Sequence, residues 1–322
     1  MAPRALNGDL GKNPAKICII VGPTCSGKTS AALRLSKKLG GEIVSADSRQ
    51  VFKFMDIGTG KIPMGHTGRG PEFVRGAGKW LVDGVPVWGY DLAVPGDYFS
   101  AYDWAKWALS KIAEITKRGK RVFVVGGTGF YIDVLAGRRV LAGQKPDFAV
   151  RKSLESMPTK NLLTWLTSLN LAAGKRVDKN NRRRIVRELE KELTKEKART
   201  TPLPYLRKEN FALVGLTADK PILYARVDAW LNEIWQNGLV EETAKLIALG
   251  FADTQQLNGL IYKTTKDYIQ KNVGDAAAKE RIKFDLHAYI RRQLTWFNQN
   301  DAISWLDTNA QNFGEKLENL VL

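Results

Sequence analysis

The first strongly apolar stretch of the chain is Ile17-Cys18-Ile19-Ile20-Val21, short and rich in β-branched side chains, which predicts a buried strand. Ser30 to Leu39 reads as a helix, Glu42 to Ala46 as a second short strand, and Val85 to Leu92 as a third, carrying Trp88 and Tyr90. Tyr98 to Thr116 places Tyr102, Ala105, Leu109, Ile112 and Ala113 at helical spacing, so an amphipathic helix is expected there. Arg121 to Val125 predicts another strand, followed by a short apolar segment, Phe130 to Leu135. Between these, Met55 to Arg75 is glycine-rich and weakly patterned, includes His66, and reads as a partly mobile loop. Strands alternating with helices point to an α/β fold with a mostly parallel sheet.

The character changes after Gly137. Residues 138–210 contain no convincing strand, but helical patterns recur at Asp147 to Met157 and Lys160 to Leu169. A basic run follows from Lys175 to Arg187, and Ile185 and Leu189 predict that its second half is a helix reaching Leu193. Phe211 to Leu216 is apolar and β-prone, a strand returning to the main sheet. Residues 138–210 therefore read as a helical insertion, residues 15–137 and 211–322 as the core, and residues 1–14 as a loose polar leader. The remainder is helical over 221–236, Val240 to Leu249, Tyr262 to Lys271 and Ala276 to Phe297, with Ile303 to Leu306 as a last strand or turn and a weak helix beyond. Trp296 and Trp305 read as core residues.

Between the first strand and helix lies Gly22-Pro23-Thr24-Cys25-Ser26-Gly27-Lys28-Thr29, a phosphate-binding loop in the setting that the pattern requires. Its glycines let main-chain N–H groups turn inward around phosphate oxygens, and the helix N-terminus adds partial positive charge. Lys28 brings a full charge and Thr29 a hydroxyl that can bind a divalent ion. The loop predicts a diphosphate or triphosphate ligand without naming a reaction. Asp47-Ser48-Arg49-Gln50 ends the second strand. In an open α/β sheet, residues at strand carboxyl ends line the ligand crevice. Asp47 either faces that crevice or caps a turn. Gly126-Gly127-Thr128-Gly129 follows the Arg121 to Val125 strand and is either a tight turn or a further wall of the same crevice.

Charge adds a partner. The 322 residues carry a formal net charge of +17, an excess that suggests a polyanionic partner, most simply nucleic acid, or an anionic membrane surface. The cluster Lys175, Arg176, Lys179, Arg182, Arg183, Arg184 and Arg187 opposes only Asp178, and reads as a phosphate-backbone footprint over a plain solvated face. The two cysteines, Cys18 and Cys25, form neither a zinc pattern nor a disulfide framework. No segment has the length and apolarity of a signal peptide or membrane span, so a cytoplasmic protein with no membrane partner is expected. With no visible coiled coil, a monomer without an obligate protein partner is expected.

Taken in order, these motifs resemble the tRNA dimethylallyltransferases (tRNA isopentenyltransferases, or IPP transferases). The resemblance covers about Lys16 to Asp307 and rests on Gly22 to Thr29, Asp47 to Phe52 with Met55 to Thr59, and Gly126 to Tyr131. It continues through Asn180 to Glu190, Gly238 to Glu242 and Arg292 to Phe297. It implies a P-loop NTPase-like core, an inserted all-helical domain gripping a tRNA anticodon stem-loop, and transfer of a prenyl group from dimethylallyl diphosphate to an adenosine at position 37. By this resemblance Gly22, Thr24, Cys25, Ser26, Gly27, Lys28 and Thr29 hold the diphosphate, with Arg226 the nearby guanidinium, and Thr29 carries Mg²⁺. Asp47 matches the general base and Thr128 the residue beside the reacting amine. Contacts to tRNA fall on Asp47, Ser48, Arg49, Gln50, Asn180, Arg182, Arg183, Arg184, Arg187, Arg292 and Gln293.

Some positions depart from the family pattern. Val87-Trp88 or Trp88-Gly89 stands where a His-His pair is usual, Ala229 or Trp230 where an Arg is usual, Thr264 where a Glu is usual, and Leu286-His287 where Thr-Arg is usual. Three other readings compete: a prenyltransferase acting on free adenine nucleotides, a small-molecule P-loop kinase, and an RNA-binding protein without catalysis. The long helical insertion and the positive charge favour tRNA over free nucleotides.

Overall fold

In the computed structural model, residues 17–62, 72–76, 78–141, 146–195 and 202–322 are described. The leader at 1–14 and His66 lie outside them. The core is an eight-stranded sheet. In chain order its strands are β1 (Ile17–Val21), β2 (Gly41–Ser45), β3 (Phe73–Gly76), β4 (Lys79–Val82), β5 (Val85–Trp88), β6 (Arg121–Gly126), β7 (Phe211–Thr217) and β8 (Ser304–Asp307). In space the order is β3-β4-β5-β2-β6-β1-β7-β8. Only the β3/β4 and β4/β5 pairings are antiparallel; the others run parallel.

Strands β1, β2 and β6 are buried almost throughout, as strands of a sheet covered on both faces are; within β2 the buried Glu42 carboxylate is held by the Arg118 guanidinium. The order places β6 between β1 and β2, so the loops after these three strands leave the same edge side by side. That adjacency is what brings the phosphate loop, Asp47 and the Gly126–Gly129 turn together.

Helix α1 (Lys28–Leu39) begins two residues before the sequence expectation, at the loop lysine itself. Helix α2 (Ala101–Lys117) starts at Ser100, whose hydroxyl accepts the Asp103 N–H while the Asp103 carboxylate accepts the Ser100 N–H, a reciprocal cap. Helix α3 is Gly129–Leu135. The stretch read as loop from Met55 to Arg75 ends in β3, which forms a hairpin with β4.

Val140–Leu203 form a compact unit of their own, somewhat shorter than the 138–210 expected. It holds α4 (Phe148–Glu155), α5 (Thr159–Leu169), α6 (Leu171–Arg176) and α7 (Arg182–Leu193). Leu154, Leu162, Leu166, Ala173, Ile185 and Leu189 make its core. After β7 come α8 (Lys220–Gln236), α9 (Leu239–Ala248), α10 (Leu260–Ile269) and α11 (Asp275–Phe297), then β8 and α12 (Phe313–Val321). Among the described residues no helix is long and apolar enough to cross a membrane.

Candidate active site

A cavity of about 200 Å³ opens at the carboxyl edge of β1, β2 and β6. It is lined by Thr24, Cys25, Lys28 and Thr29 of the phosphate loop, by Asp47, Arg49 and Gln50, and by Gly126 and Gly127. Three expected loops thus meet at one site.

The phosphate loop needs its glycines. Gly22 has φ +142°, and a β-carbon there would fall 2.1 Å from the Leu216 carbonyl oxygen. Gly27 has φ +79° at the N-cap of α1. Cys25 adopts φ +61° despite its side chain. The Lys28 ammonium donates to the Pro23 carbonyl at 2.6 Å. Burial pushes its pKa down to about 8, against the opposing pull of Cys25 and Asp47. Burial likewise pushes the Cys25 thiol up to about 11, with Lys28 and Arg226 pulling the other way. The loop therefore holds a lysine whose charge is poorly compensated until an anion arrives.

Asp47 does both things its position allowed. One carboxylate oxygen accepts the Arg49 main-chain N–H at 2.8 Å, and the side chain lines the cavity. The Thr128 hydroxyl accepts the Ser48 N–H at 3.0 Å and lies 3.3 Å from the Ser48 hydroxyl, which locks the β2 turn to the β6 turn. Gln50 accepts from the Ser45 hydroxyl at 2.7 Å and donates to the Thr59 and Gly60 carbonyls at 3.1 and 3.2 Å. The Arg49 guanidinium donates to the Gln256 carbonyl at 2.6 Å.

Gln293, expected to touch RNA, lies buried between two loops. Its side-chain carbonyl accepts the Thr24 N–H at 2.8 Å and its amide donates to the Gly127 carbonyl at 3.0 Å. Arg292 is exposed, with its guanidinium 5.7 Å from the Tyr289 ring centroid. Arg226 donates to the Thr308 hydroxyl at 3.0 Å and the Asn309 side-chain carbonyl at 2.9 Å, and borders a second cavity together with Cys25, Ser26, Gly27 and Arg34. The Ser26 hydroxyl is buried without a hydrogen-bond partner.

Sequence reasoning assigned no role to Glu242. Its carboxylate accepts the main-chain N–H groups of Asp56, Ile57 and Gly58 at 2.8, 2.7 and 3.0 Å, and the Tyr262 hydroxyl at 2.7 Å. It thereby fixes the turn whose Gly58, Thr59 and Gly60 line the cavity. The remaining lining is apolar or aromatic: Val125, Trp230, Leu260, Ile261, Tyr262, Leu286 and Tyr289. Burial and the negative charge of Asp47 hold the Tyr289 hydroxyl well above its usual pKa.

Of the departures, Trp230 and Leu286 border this cavity. Val87 is core, and the Trp88 indole donates to Glu42 at 2.6 Å under the Lys111 ammonium. Thr264 is buried, and His287 stacks on Tyr224 while bonding Asp228 at 2.8 Å.

Within the helical unit, Asn181 caps α7 by accepting the Arg184 N–H, and Asn180 is exposed. The Arg182 guanidinium donates to the carbonyls of Leu154, Glu155 and Met157 and to the Thr159 hydroxyl, so it ties α4 to α7. Arg187 pairs with the buried Glu190 at 2.7 Å. Arg183 is exposed, and Arg184 is exposed at 3.9 Å from Asp178. The basic cluster thus divides into arginines holding the unit together and arginines facing solvent.

A family model described as IPP transferase matches residues 50–300, and one described as isopentenyl transferase matches residues 15–66. A tRNA dimethylallyltransferase of Halalkalibacterium halodurans is 34% identical over 94% of both chains, and one of Bacillus velezensis 33% identical over 90% of both. The crystal structure of a full-length tRNA isopentenylpyrophosphate transferase from Bacillus halodurans superposes with a TM-score of 0.65 at 31% identity, covering 95% of this chain and 94% of that one. A eukaryotic dimethylallyltransferase captured acting on tRNA, at 20% identity and a TM-score of 0.71, shares the fold over 95% of this chain and 77% of its own.

Proposed function

The chain belongs to the IPP transferase family, and on that premise we propose how its own residues move a dimethylallyl group from dimethylallyl diphosphate to an adenosine beside the anticodon of tRNA. The chain is a tRNA dimethylallyltransferase. The observation that carries the residue assignment is that Lys28 and Asp47 line one cavity.

The donor diphosphate lies in the nest of N–H groups from Ser26 to Thr29, with the Lys28 ammonium turning from Pro23 toward it. Aligned N–H groups and a desolvated cation stabilise the charge that grows on the bridging oxygen as the allylic C–O bond breaks. The dimethylallyl chain has no polar group to satisfy, which suits Trp230, Leu260, Ile261 and Leu286. Thr29, whose hydroxyl stands beside the loop, would hold a Mg²⁺ ion there together with the donor diphosphate. Among the described residues no cluster of three or more acidic, His or Cys side chains could hold a metal unaided. When bound, the ion adds charge neutralisation at the diphosphate.

The acceptor is the exocyclic N6 amine, whose lone pair is delocalised into the adenine ring. Asp47 accepts its proton as the C–N bond forms, because a carboxylate within hydrogen-bond reach lowers that barrier. Its bond from the Arg49 N–H fixes its orientation, and the Thr128–Ser48 link keeps the two turns in register. The base leaves the loop stack to enter the cavity, which single-stranded loops permit at modest cost. The exposed Arg183 and Arg184 of the 140–203 unit supply phosphate contacts to the anticodon stem-loop.

Mass analysis of nucleosides from an anticodon stem-loop RNA, after incubation with dimethylallyl diphosphate and Mg²⁺, tests the reading. One adenosine gaining a five-carbon unit at N6 supports it. Modification of free AMP with untouched RNA contradicts it.

A further inference from the structure

Phe54 sits where its backbone conformation disfavours any residue with a β-carbon. Its φ is +66°, in the left-handed region. Phe52 and Met55 nearby are buried, yet Phe54 is 40% exposed. The surrounding main chain is pinned: the Phe52 N–H donates to the Arg49 carbonyl at 3.2 Å and the Lys53 N–H to the Ala93 carbonyl at 2.8 Å. The turn is therefore not loose; it presents an aromatic ring outward at a conformational cost.

That ring is paired. Phe54 and Phe251 stack at 6.4 Å between centroids with 18° between planes. The two rings come from segments that both lead into the cavity. Gln50 and Gly58 flank Phe54 in sequence and line it, as does Leu260 after Phe251. Arg49 ties the segments together through the Gln256 carbonyl at 2.6 Å. Lys53, next to Phe54 in sequence, is exposed.

We propose that Phe54 and Phe251 form a stacking platform for an unpaired RNA base adjacent to the target adenosine, with Lys53 on its phosphate. The proposal rests on the assignment of this cavity to the target adenosine. Flat aromatic faces beside a cation are how proteins hold single-stranded nucleotides, because every base has a stackable face. A protein that draws one base out of a loop leaves that base's neighbour unstacked, and a platform on the segments that lead into the cavity compensates it. The strongly positive chain favours RNA as the occupant over an apolar protein segment.

The test uses the full-length chain and an anticodon stem-loop carrying 2-aminopurine next to the target adenosine. Phe54→Gly suits the left-handed backbone and should fold at least as well as the wild type; Phe251→Ala is the second variant. The proposal expects wild-type binding to quench the 2-aminopurine, and each variant to weaken hairpin binding by roughly 5- to 100-fold and relieve the quench. Hairpin affinity within twofold of wild type in both variants overturns the platform. If the wild type prenylates the hairpin while the variants bind it normally, the platform alone fails. If the wild type neither binds nor modifies the hairpin, the functional reading fails and the platform with it.

Discussion

Gln293 accepts the Thr24 main-chain N–H at 2.8 Å across 269 residues of sequence. With its amide on the Gly127 carbonyl, one side chain near the end of α11 joins the phosphate loop to the turn after β6. Replacing Gln293 by Ala removes both bonds, and each group left buried and unsatisfied costs about 1–3 kcal/mol. Gln293→Ala is expected to lower the melting temperature and raise the KM for dimethylallyl diphosphate. Gln293→Glu keeps the acceptor for Thr24 but sets a buried carboxylate against the Gly127 carbonyl and beside the diphosphate loop, so it should raise KM at least as much as Gln293→Ala. Thermal unfolding and steady-state kinetics check both.

Lys28 gives the donor site a pH dependence. Its pKa of about 8 is low because burial disfavours the charged form. A bound diphosphate favours that form, so donor binding takes up a proton above pH 8. Donor affinity should hold below pH 8 and fall up to about tenfold per unit above it. In Lys28→Met that inflection should vanish, with kcat/KM reduced by about two to three orders of magnitude. Stability moves the other way: the unfolded lysine keeps its proton to a higher pH, so this group's contribution to stability rises from pH 8 upward. Donor titrations and thermal melts from pH 7 to 10 measure both signs.

Glu242 holds three consecutive main-chain N–H groups and the Tyr262 hydroxyl. Glu242→Ala leaves four donors unpaired under the Asp56–Gly60 turn, a loss of several kcal/mol on the scale of about 1–3 kcal/mol for each buried group. Hydrogen exchange should rise at Asp56, Ile57 and Gly58 before it rises in β1 or β6. Uniform exchange across the core would contradict a local fastening role.

The arginines of α7 separate by function. Arg183→Gln with Arg184→Gln should weaken anticodon stem-loop binding and make the dependence of log K on log salt shallower, by about 1 for each phosphate that the variant leaves unneutralised. The unit's folding should be little affected. Arg182→Gln should instead destabilise the 140–203 unit, since its guanidinium holds four oxygens between Leu154 and Thr159. Binding across a salt series, with thermal melts, distinguishes the two.

The core strands were legible because a strand buried on both faces is a short apolar run, as β1, β6 and β7 largely are; β2 carries a buried Glu42 and Ser45 in its run. The phosphate loop was legible because its glycines answer a backbone requirement at fixed spacing. The β3/β4 hairpin was not, because β3 is fully exposed and lacks an alternating pattern. Gln293 and Arg182 were read as RNA contacts because a polar side chain in a recognised motif says nothing about which way it faces. Both turn inward, to main-chain groups brought near only by the fold. Glu242 stood in a motif of the resemblance, but its fastening role was hidden, since its main-chain partners lie about 185 residues away in sequence.

The mechanism turns on Asp47 removing the proton of the acceptor amine. Asp47→Asn keeps an oxygen for the Arg49 N–H while removing the base, so it isolates the chemistry from the turn. Single-turnover transfer should be measured at saturating dimethylallyl diphosphate with anticodon stem-loop RNA already bound. A fall of about 10²- to 10⁴-fold in the rate of N6 prenylation, with the RNA still bound, is the predicted result. A rate near that of the wild type would contradict the mechanism.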